Sequence, residues 1–319
     1  MDKKIDLFLD SGAHSLYTKQ VINKKHSAGY NFFESDEFWK YIDDYALFIK
    51  ENLNILSVYV NVDVIFNPEL TWKVQQYLEN QHGLSPLPVV HHGTDLKWLK
   101  KYMDKHDYIG LGGLGQEVTK QMYFAWADQA FSLLCDFPDG LPRWKIHGFA
   151  MTSLPLLLRY PWYSVDSTSW VITGRMGGVY VPKFRQGKYE YLIDPWKVTV
   201  SDRSPSKGEA DKHFKTFSPM EQEIITEYLD SKGHKIGLSE FRFENKNYKP
   251  VEGERWHGPA RTDGNREIEL TIEPGLCNNY MQRDELNIIY FLDLEKALPE
   301  WPWPFKLKTN HMVKGGFGL

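Results

Sequence analysis

The chain has 319 residues, a formal net charge of −4 and 42% hydrophobic residues, which suits a folded globular protein and excludes a disordered or collagen-like one. A negative net charge also argues against a general nucleic-acid coat, whose affinity comes from Lys and Arg neutralising phosphates, so any nucleic-acid site has to be a local basic patch. Two cysteines, Cys135 and Cys277, with no CxxC pair, offer neither a disulfide framework nor a zinc cluster. No apolar run approaches the roughly 20 residues that span a bilayer, and the N-terminus runs straight into a strand pattern, so no membrane association and a cytoplasmic location are expected.

The first 170 or so residues alternate short apolar runs with longer amphipathic stretches, the pattern of repeated βα units and a parallel sheet. Strands are predicted at Ile5–Asp10, Ile55–Asp63, Leu87–His91, Tyr108–Leu111, Lys145–Ala150 and Trp162–Asp166. Helices are predicted over Ser35–Glu51, where Phe38, Trp39, Ile42, Tyr45, Ala46 and Ile49 keep helical spacing, and over Asp95–Lys105 and Lys120–Cys135. So many units in that length predict an α/β fold of the (β/α)8 TIM-type barrel class, with a doubly wound open sheet as the alternative. Further on, strands are predicted at Arg175–Pro182, Tyr189–Ile193 and Lys197–Val200, then a helix over Pro219–Lys232 and a late barrel strand at Lys235–Leu238. A strand at Ile268–Ile272 and a helix over Leu286–Leu298 complete the pattern. The whole chain, 1–319, reads as one barrel domain with inserted loops at about 183–216 and 245–266.

Polar residues gather where the early strands end. In a parallel barrel these ends open on one face, where catalytic residues collect, although a single Asp or Ser there is more often a turn or helix cap. Asp10 closes IDLFLD. Asp63 stands in an otherwise apolar run, where an unpaired charge is costly, so it needs a partner, either a structural Arg or a ligand with N–H donors. His91 and His92 close a strand and point to opposite sides, so at most one faces a site; adjacent histidines rarely chelate one ion, and no metal is expected. Gly112 and Gly113 lie in a glycine-rich turn without nucleotide-loop spacing, whose content is bare backbone, with Glu117 nearby. His147 flanks a glycine at the next strand end, with Met151 offering an apolar surface. Asp166 follows a strand of aromatic and β-branched residues. Paired with Asp10, it supplies the two carboxylates that displacement at a sugar anomeric carbon uses, one as nucleophile and one handling protons.

Taken in order, these phrases resemble the tRNA-guanine transglycosylase superfamily. Asp10-Ser11-Gly12 is similar to that family's aspartate-serine-glycine strand end, and Asp63 falls where a base-recognising aspartate stands. Gly112-Gly113-Leu114 is similar to its Gly-Gly-Leu backbone contact, Ile146-His147-Gly148-Phe149 falls at the segment covering the base, and Asp166 falls at the nucleophile. The overlap covers roughly residues 5–170. With two cysteines the chain lacks the family's C-terminal zinc cluster, and it looks more like the phage-associated, DpdA-like DNA 7-deazaguanine transglycosylases.

The resemblance implies a pentosyltransferase needing no cofactor. It would exchange guanine in DNA, rather than tRNA, for a 7-deazaguanine such as 7-cyano-7-deazaguanine, in a host cytoplasm if phage-encoded. Asp166 and Asp10 would be catalytic. Ser11, Asp63, His91, His92, Gly112, Gly113, Leu114, His147 and Phe149 would contact the base. Tyr163, Trp170 or Phe149 would stack on a flipped base. Lys183, Arg185, Lys188, Arg203, Lys207, Lys212 and Lys215 are candidate phosphate contacts. The competing expectations are a barrel N-glycosidase or nucleoside hydrolase using the same carboxylates, a non-catalytic nucleic-acid-binding barrel, and a metal-dependent amidohydrolase.

Overall fold

A computed structural model describes residues 6–22, 31–65, 67–113, 118–203 and 212–307. Contacts divide the chain, read from sequence as one domain, into two compact units: Met1–Asp166 with Glu300–Leu319, and Ser167–Pro299.

The first unit is built of parallel strands with helices between them. Its elements are β1 (Leu7–Leu9), α1 (Ala13–Tyr17), α2 (Asp36–Asn52), β2 (Leu56–Tyr59), α3 (Pro68–Asn80), β3 (Val89–His91), α4 (Lys97–Met103), β4 (Tyr108–Gly112), α5 (Lys120–Leu134), β5 (Lys145–Gly148), α6 (Leu154–Arg159) and β6 (Ser164–Val165). Strand β1 pairs with β2, and β3, β4, β5 and β6 form a second parallel sheet in that order. A single parallel bridge, Val60 to Leu87, ties the end of β2 to the chain entering β3. All six predicted strands of this half are thus present, in consecutive spatial order.

The sheet is curled. Neighbouring strands lie about 4.8 Å apart, so in a flat sheet β1 and β5 would be separated by roughly 19 Å. Instead the ring of Phe8 on β1 stacks on the ring of His147 on β5, with centroids 4.5 Å apart. Only a sheet that bends back on itself brings those two side chains together.

Helix α2 starts where the sequence predicts. Ser35 accepts from the Phe38 N–H, and Asp36 and Glu37 place negative charge on its first turn, where the helix dipole favours it. Phe38, Ile42, Tyr45, Ala46 and Ile49 are buried, joining Val62, Val64, Val74, Leu78 and Leu84 in one core cluster. Helix α3 was not singled out from sequence, although Asn67 as cap and Pro68 in the first turn are strong start signals.

The second unit contains α7 (Ser169–Arg175), β7 (Gly178–Val181), β8 (Lys183–Arg185), β9 (Lys188–Glu190), β10 (Trp196–Thr199), β11 (Lys212–His213), α8 (Pro219–Ser231), β12 (Leu238–Asn245), β13 (Glu254–His257), β14 (Asn265–Glu273) and α9 (Tyr280–Ala297). Strand β7 pairs antiparallel with β10, β8 with β9, and β14 lies antiparallel between β12 and β13. The segments expected as loops at 183–216 and 245–266 therefore carry strands. Lys235–Leu238, expected as a late barrel strand, leads into β12 of an antiparallel sheet. Helix α8 has a complete capping box between Ser218 and Glu221. Val179, Val181, Val198, Ile225 and Leu286 fill the unit's core, and the fully buried Asn287 accepts from the Tyr180 N–H and donates to the Trp170 and Gly178 carbonyls. Among the described residues no helix is long and apolar enough to cross a membrane.

At the end of β4, Gly113 has φ +98°, and a Cβ there would lie 2.7 Å from the His92 backbone nitrogen. Gly113→Ala is therefore expected to destabilise the first unit by about 1–3 kcal/mol through backbone strain, read as a lower urea midpoint.

Candidate active site

Three carboxylates follow three strands of the first unit, two of them within electrostatic reach of the third. Asp10 follows β1, Asp63 follows β2 and Asp166 follows β6. Asp10 accepts from the N–H groups of Ser11 and Gly12, which answers to its expected role as a turn cap. It also feels the charges of Asp63 and Asp166, and partial burial together with those charges outweighs the two N–H groups and raises its carboxyl above the ordinary range. Ser11 is buried; its carbonyl accepts from the Tyr41 hydroxyl and its Oγ faces the Ala13 N–H, so it shapes the turn.

Asp63 has found its partner inside the protein. His91 Nε2 lies 2.8 Å from Asp63 Oδ2, the two side chains being 20% and 11% exposed. Burial works to strip the proton from His91, but the Asp63 charge and hydrogen bond outweigh it and hold the imidazole above its ordinary value. The pair helps line a cavity of about 20 Å³, together with Thr71, Trp98 and Tyr102 among others, which has room for a single water and not for a heterocycle.

His92 points away, as strand alternation requires. Its ring packs on Tyr123 and Trp126 of α5, with Nε2 3.3 Å from the Met122 carbonyl. This places His92 in a helix contact and leaves His91 as the member of the pair beside the carboxylates. The glycines of β4 are likewise less open than the sequence suggests. A Cβ on Gly110 would lie 2.5 Å from the Phe149 ring, one on Gly112 would meet the His91 ring at 3.4 Å, and the Gly112 carbonyl already accepts from the His92 N–H. Their bare backbone makes room for protein rings. Met151, expected as an open apolar surface, is fully buried.

Asp166 is the most elaborately held of the three. Its Oδ1 accepts from the Ala150 N–H at 2.9 Å and lies 3.4 Å from His147 Nε2. Ala150 has φ +57°, a left-handed conformation unusual for a residue with a side chain, and the backbone turn it makes aims its N–H at the carboxylate. Its neighbour's N–H, on Met151, donates to the Asp166 carbonyl. Burial works to raise the Asp166 carboxyl, but His147 and the Ala150 N–H outweigh it and hold the group below its ordinary value.

His147 is itself fixed from three sides. It is the β5 residue paired in register with Ser164 of β6, whose Oγ lies 2.7 Å from its Nδ1, and the Tyr108 hydroxyl of β4 meets the same Oγ. Phe8 stacks on its ring and Phe149 meets it edge-on. A Ser-His-Asp grouping suggests a serine nucleophile, but the exposure gradient runs the other way. The Asp166 side chain is 57% exposed and His147 3% exposed, so of the two it is the carboxylate that meets solvent. The sequence did not bring Tyr108, Ser164 or Ala150 forward; Ser164 stands two residues before Asp166, and only β-strand register sets it beside His147.

Of the expected stacking faces, Phe149 belongs to this cluster. Tyr163 is exposed, with Lys145 Nζ 4.5 Å from its ring, and Trp170 belongs to the other unit. The expected phosphate contacts also lie in the second unit, and local partners hold most of them. Lys183 stands over the Trp196 ring, Lys188 pairs with Glu190, Arg203 pairs with Glu267, Lys212 stands over Phe217 and Lys215 pairs with Asp202; Arg185 is exposed. Leu114, Glu117 and Lys207 lie outside the described residues. Among the described residues no three His, Cys, Asp or Glu side chains come together as a metal-ligand set.

No family model, curated protein or solved structure matches the chain, so the site stands on its own geometry.

Because folding raises the proton affinity of His91, the pair contributes stability that is fully present below the imidazole's ordinary value of 6.5 and is lost as pH rises through the folded value. Urea unfolding from about pH 5 to about pH 9 should show this falling limb, and Asp63→Asn should flatten it. An unchanged slope in the variant would mean that the pair does not form.

Proposed function

We propose that the chain is a base-exchanging transglycosylase acting on guanine in DNA, with Asp166 as nucleophile and Asp10 as acid and base. The observation that carries it is the exposed Asp166 carboxylate, anchored on Oδ1 by the Ala150 N–H with His147 Nε2 at 3.4 Å, and lying near an Asp10 carboxyl whose proton affinity burial and charged neighbours shift in the opposite direction. Displacement at an anomeric carbon asks for that division of labour. The proposal takes the curled six-strand sheet as the greater part of a TIM-type barrel, whose strand ends carry the site.

In the first half-reaction, Asp166 Oδ2 attacks the sugar anomeric carbon. The glycosidic C–N bond breaks, and the departing guanine keeps the electron pair and takes the proton of Asp10. Both contacts to Asp166 described above fall on Oδ1, which becomes the carbonyl oxygen of the sugar ester; Oδ2 takes neither. In the second half, the incoming 7-deazaguanine gives a ring N–H proton to the Asp10 carboxylate as its nitrogen attacks the same carbon and displaces Asp166. The low proton affinity of Asp166 makes it a good leaving group in that step. Two displacements retain the configuration. The Asp63–His91 pair offers an acceptor beside a donor, which suits the N–H and C=O edge of a guanine-type base, and Phe149 offers a ring edge at the mouth.

Hydrolysis by the same carboxylates is the second reading, and one experiment separates the two. Full-length protein is incubated with radiolabelled guanine and single-stranded DNA, duplex DNA or tRNA, and the products are resolved on denaturing gels. Label entering DNA together with a covalent protein–DNA adduct is expected, with the adduct abolished in Asp166→Asn and exchange slowed by about 10²–10⁴-fold in Asp10→Asn. Abasic sites without incorporation would favour hydrolysis, label entering only tRNA would move the substrate to RNA, and no adduct on any polymer would overturn the covalent mechanism.

A further inference from the structure

Resting on the role proposed for Asp166, we propose that Tyr108, Ser164 and His147 are positioning residues that act on it through one directed chain of hydrogen bonds. The Tyr108 hydroxyl donates to Ser164 Oγ, the Ser164 hydroxyl donates to His147 Nδ1, and His147 Nε2–H points at Asp166 Oδ1.

The direction follows from what each end can tolerate. His147 Nε2 is buried and has no hydrogen-bond partner at full strength; the atom facing it is Asp166 Oδ1 at 3.4 Å. If the imidazole carried its single proton on Nδ1, the Nε2 lone pair would face a carboxylate in a buried setting, two acceptors with nothing between them. Placing the proton on Nε2 removes the repulsion and leaves Nδ1 as an acceptor, a role the Ser164 hydroxyl can serve at 2.7 Å. Ser164 Oγ has then given its proton and accepts from Tyr108, whose phenol burial keeps protonated. Each hydroxyl donates once, and the chain ends on the exposed carboxylate.

The Phe8 stack and the Phe149 edge hold the plane of the imidazole, which keeps Nδ1 level with Ser164 and Nε2 level with Asp166 in the orientation described. Among the described residues, the titratable groups shown to act with Asp166 are His147 of β5 and Asp10 after β1, joined by the Ala150 N–H. His147 and Ala150 favour the ionised carboxylate, and Asp10, when charged, opposes it. The 3.4 Å separation leaves room to tighten as charge redistributes along the Asp166–sugar bond. Anchoring Oδ1 from one side by Ala150 and from another by His147 fixes the carboxylate plane and so the approach line of Oδ2.

The test reads the chain first without any activity. In full-length protein with ¹⁵N-labelled histidine, the His147 ring, assigned by its loss in His147→Gln, should show the Nε2–H tautomer. Tyr108→Phe, which removes the far donor without touching Asp166, and Ser164→Ala should each disturb it. An Nδ1–H tautomer, or a signal indifferent to both variants, overturns the relay. On adduct formation with DNA, His147→Ala should slow the step about tenfold or more with KM unchanged, and should move the acid limb of the pH profile upward, since a carboxylate without its donor takes up a proton more readily. His147→Gln, whose side-chain amide can still donate, should recover part of both. A uniform loss with an unmoved pH limb marks His147 as merely structural. If the tautomer is as expected and wild-type protein forms no adduct, the transglycosylase reading falls and the relay remains a device for holding Asp166.

Discussion

The site depends on how the ends of β5 and β6 are joined. Asp166 reaches back to the segment that follows its neighbouring strand, taking the Ala150 N–H on its side chain and the Met151 N–H on its carbonyl, while its own N–H goes to the Gly148 carbonyl. This clasp costs a left-handed alanine and is possible because Gly148 is bare: a Cβ there would lie 2.9 Å from Met151 and 3.0 Å from Trp162. An exposed carboxylate held by backbone on one side and by a buried imidazole on the other has a fixed position and a fixed charge. Asp10, by contrast, takes its N–H donors from the turn it begins.

The two remaining polar groups divide along the same lines. Asp63 and His91 neutralise each other in a nearly enclosed place, where a lone charge would be strongly disfavoured. Their pairing means that a ligand approaching Asp63 would meet a hydrogen bond already made and would compete with His91 rather than fill a vacant acceptor. The solvated end, Asp166, and the paired end, Asp63–His91, thus have different chemistry although both are carboxylates at strand ends.

Much of this was legible in the sequence. Strand ends announce themselves as polar residues after apolar runs, and Asp10, Asp63 and Asp166 do follow strands of one unit, with Asp10 feeling the charges of the other two. Helices with capping serines and i, i+4 apolar spacing, such as α2 and α8, stand where the pattern places them. The partners were hidden, because they are chosen across strands. That Asp63 takes His91, that Ser164 stands beside His147, and that Phe8 covers the imidazole are consequences of register and curl, which no local pattern encodes. The glycines misled for a related reason: a bare backbone in sequence suggests an approach for a ligand, and the fold fills Gly110 and Gly112 with its own rings. Beyond Asp166 the alternation of strand and helix breaks, and runs that looked like barrel strands or loops pair mostly antiparallel, β10 with β11 being parallel, since a short apolar run says nothing of the direction of its partner.

The stack of Phe8 on His147 also sets a timetable. Phe8 precedes the ring it covers by about 140 residues, and the carboxylate that ring steadies comes later still, near the end of the strand run of the unit. Contacts spanning so much chain are slow to close and cannot form piecemeal during translation. Until β5 and β6 emerge, β1 and β2 have an incomplete sheet and Phe8 an uncovered face, so this edge is where a nascent chain would most need a chaperone's shelter.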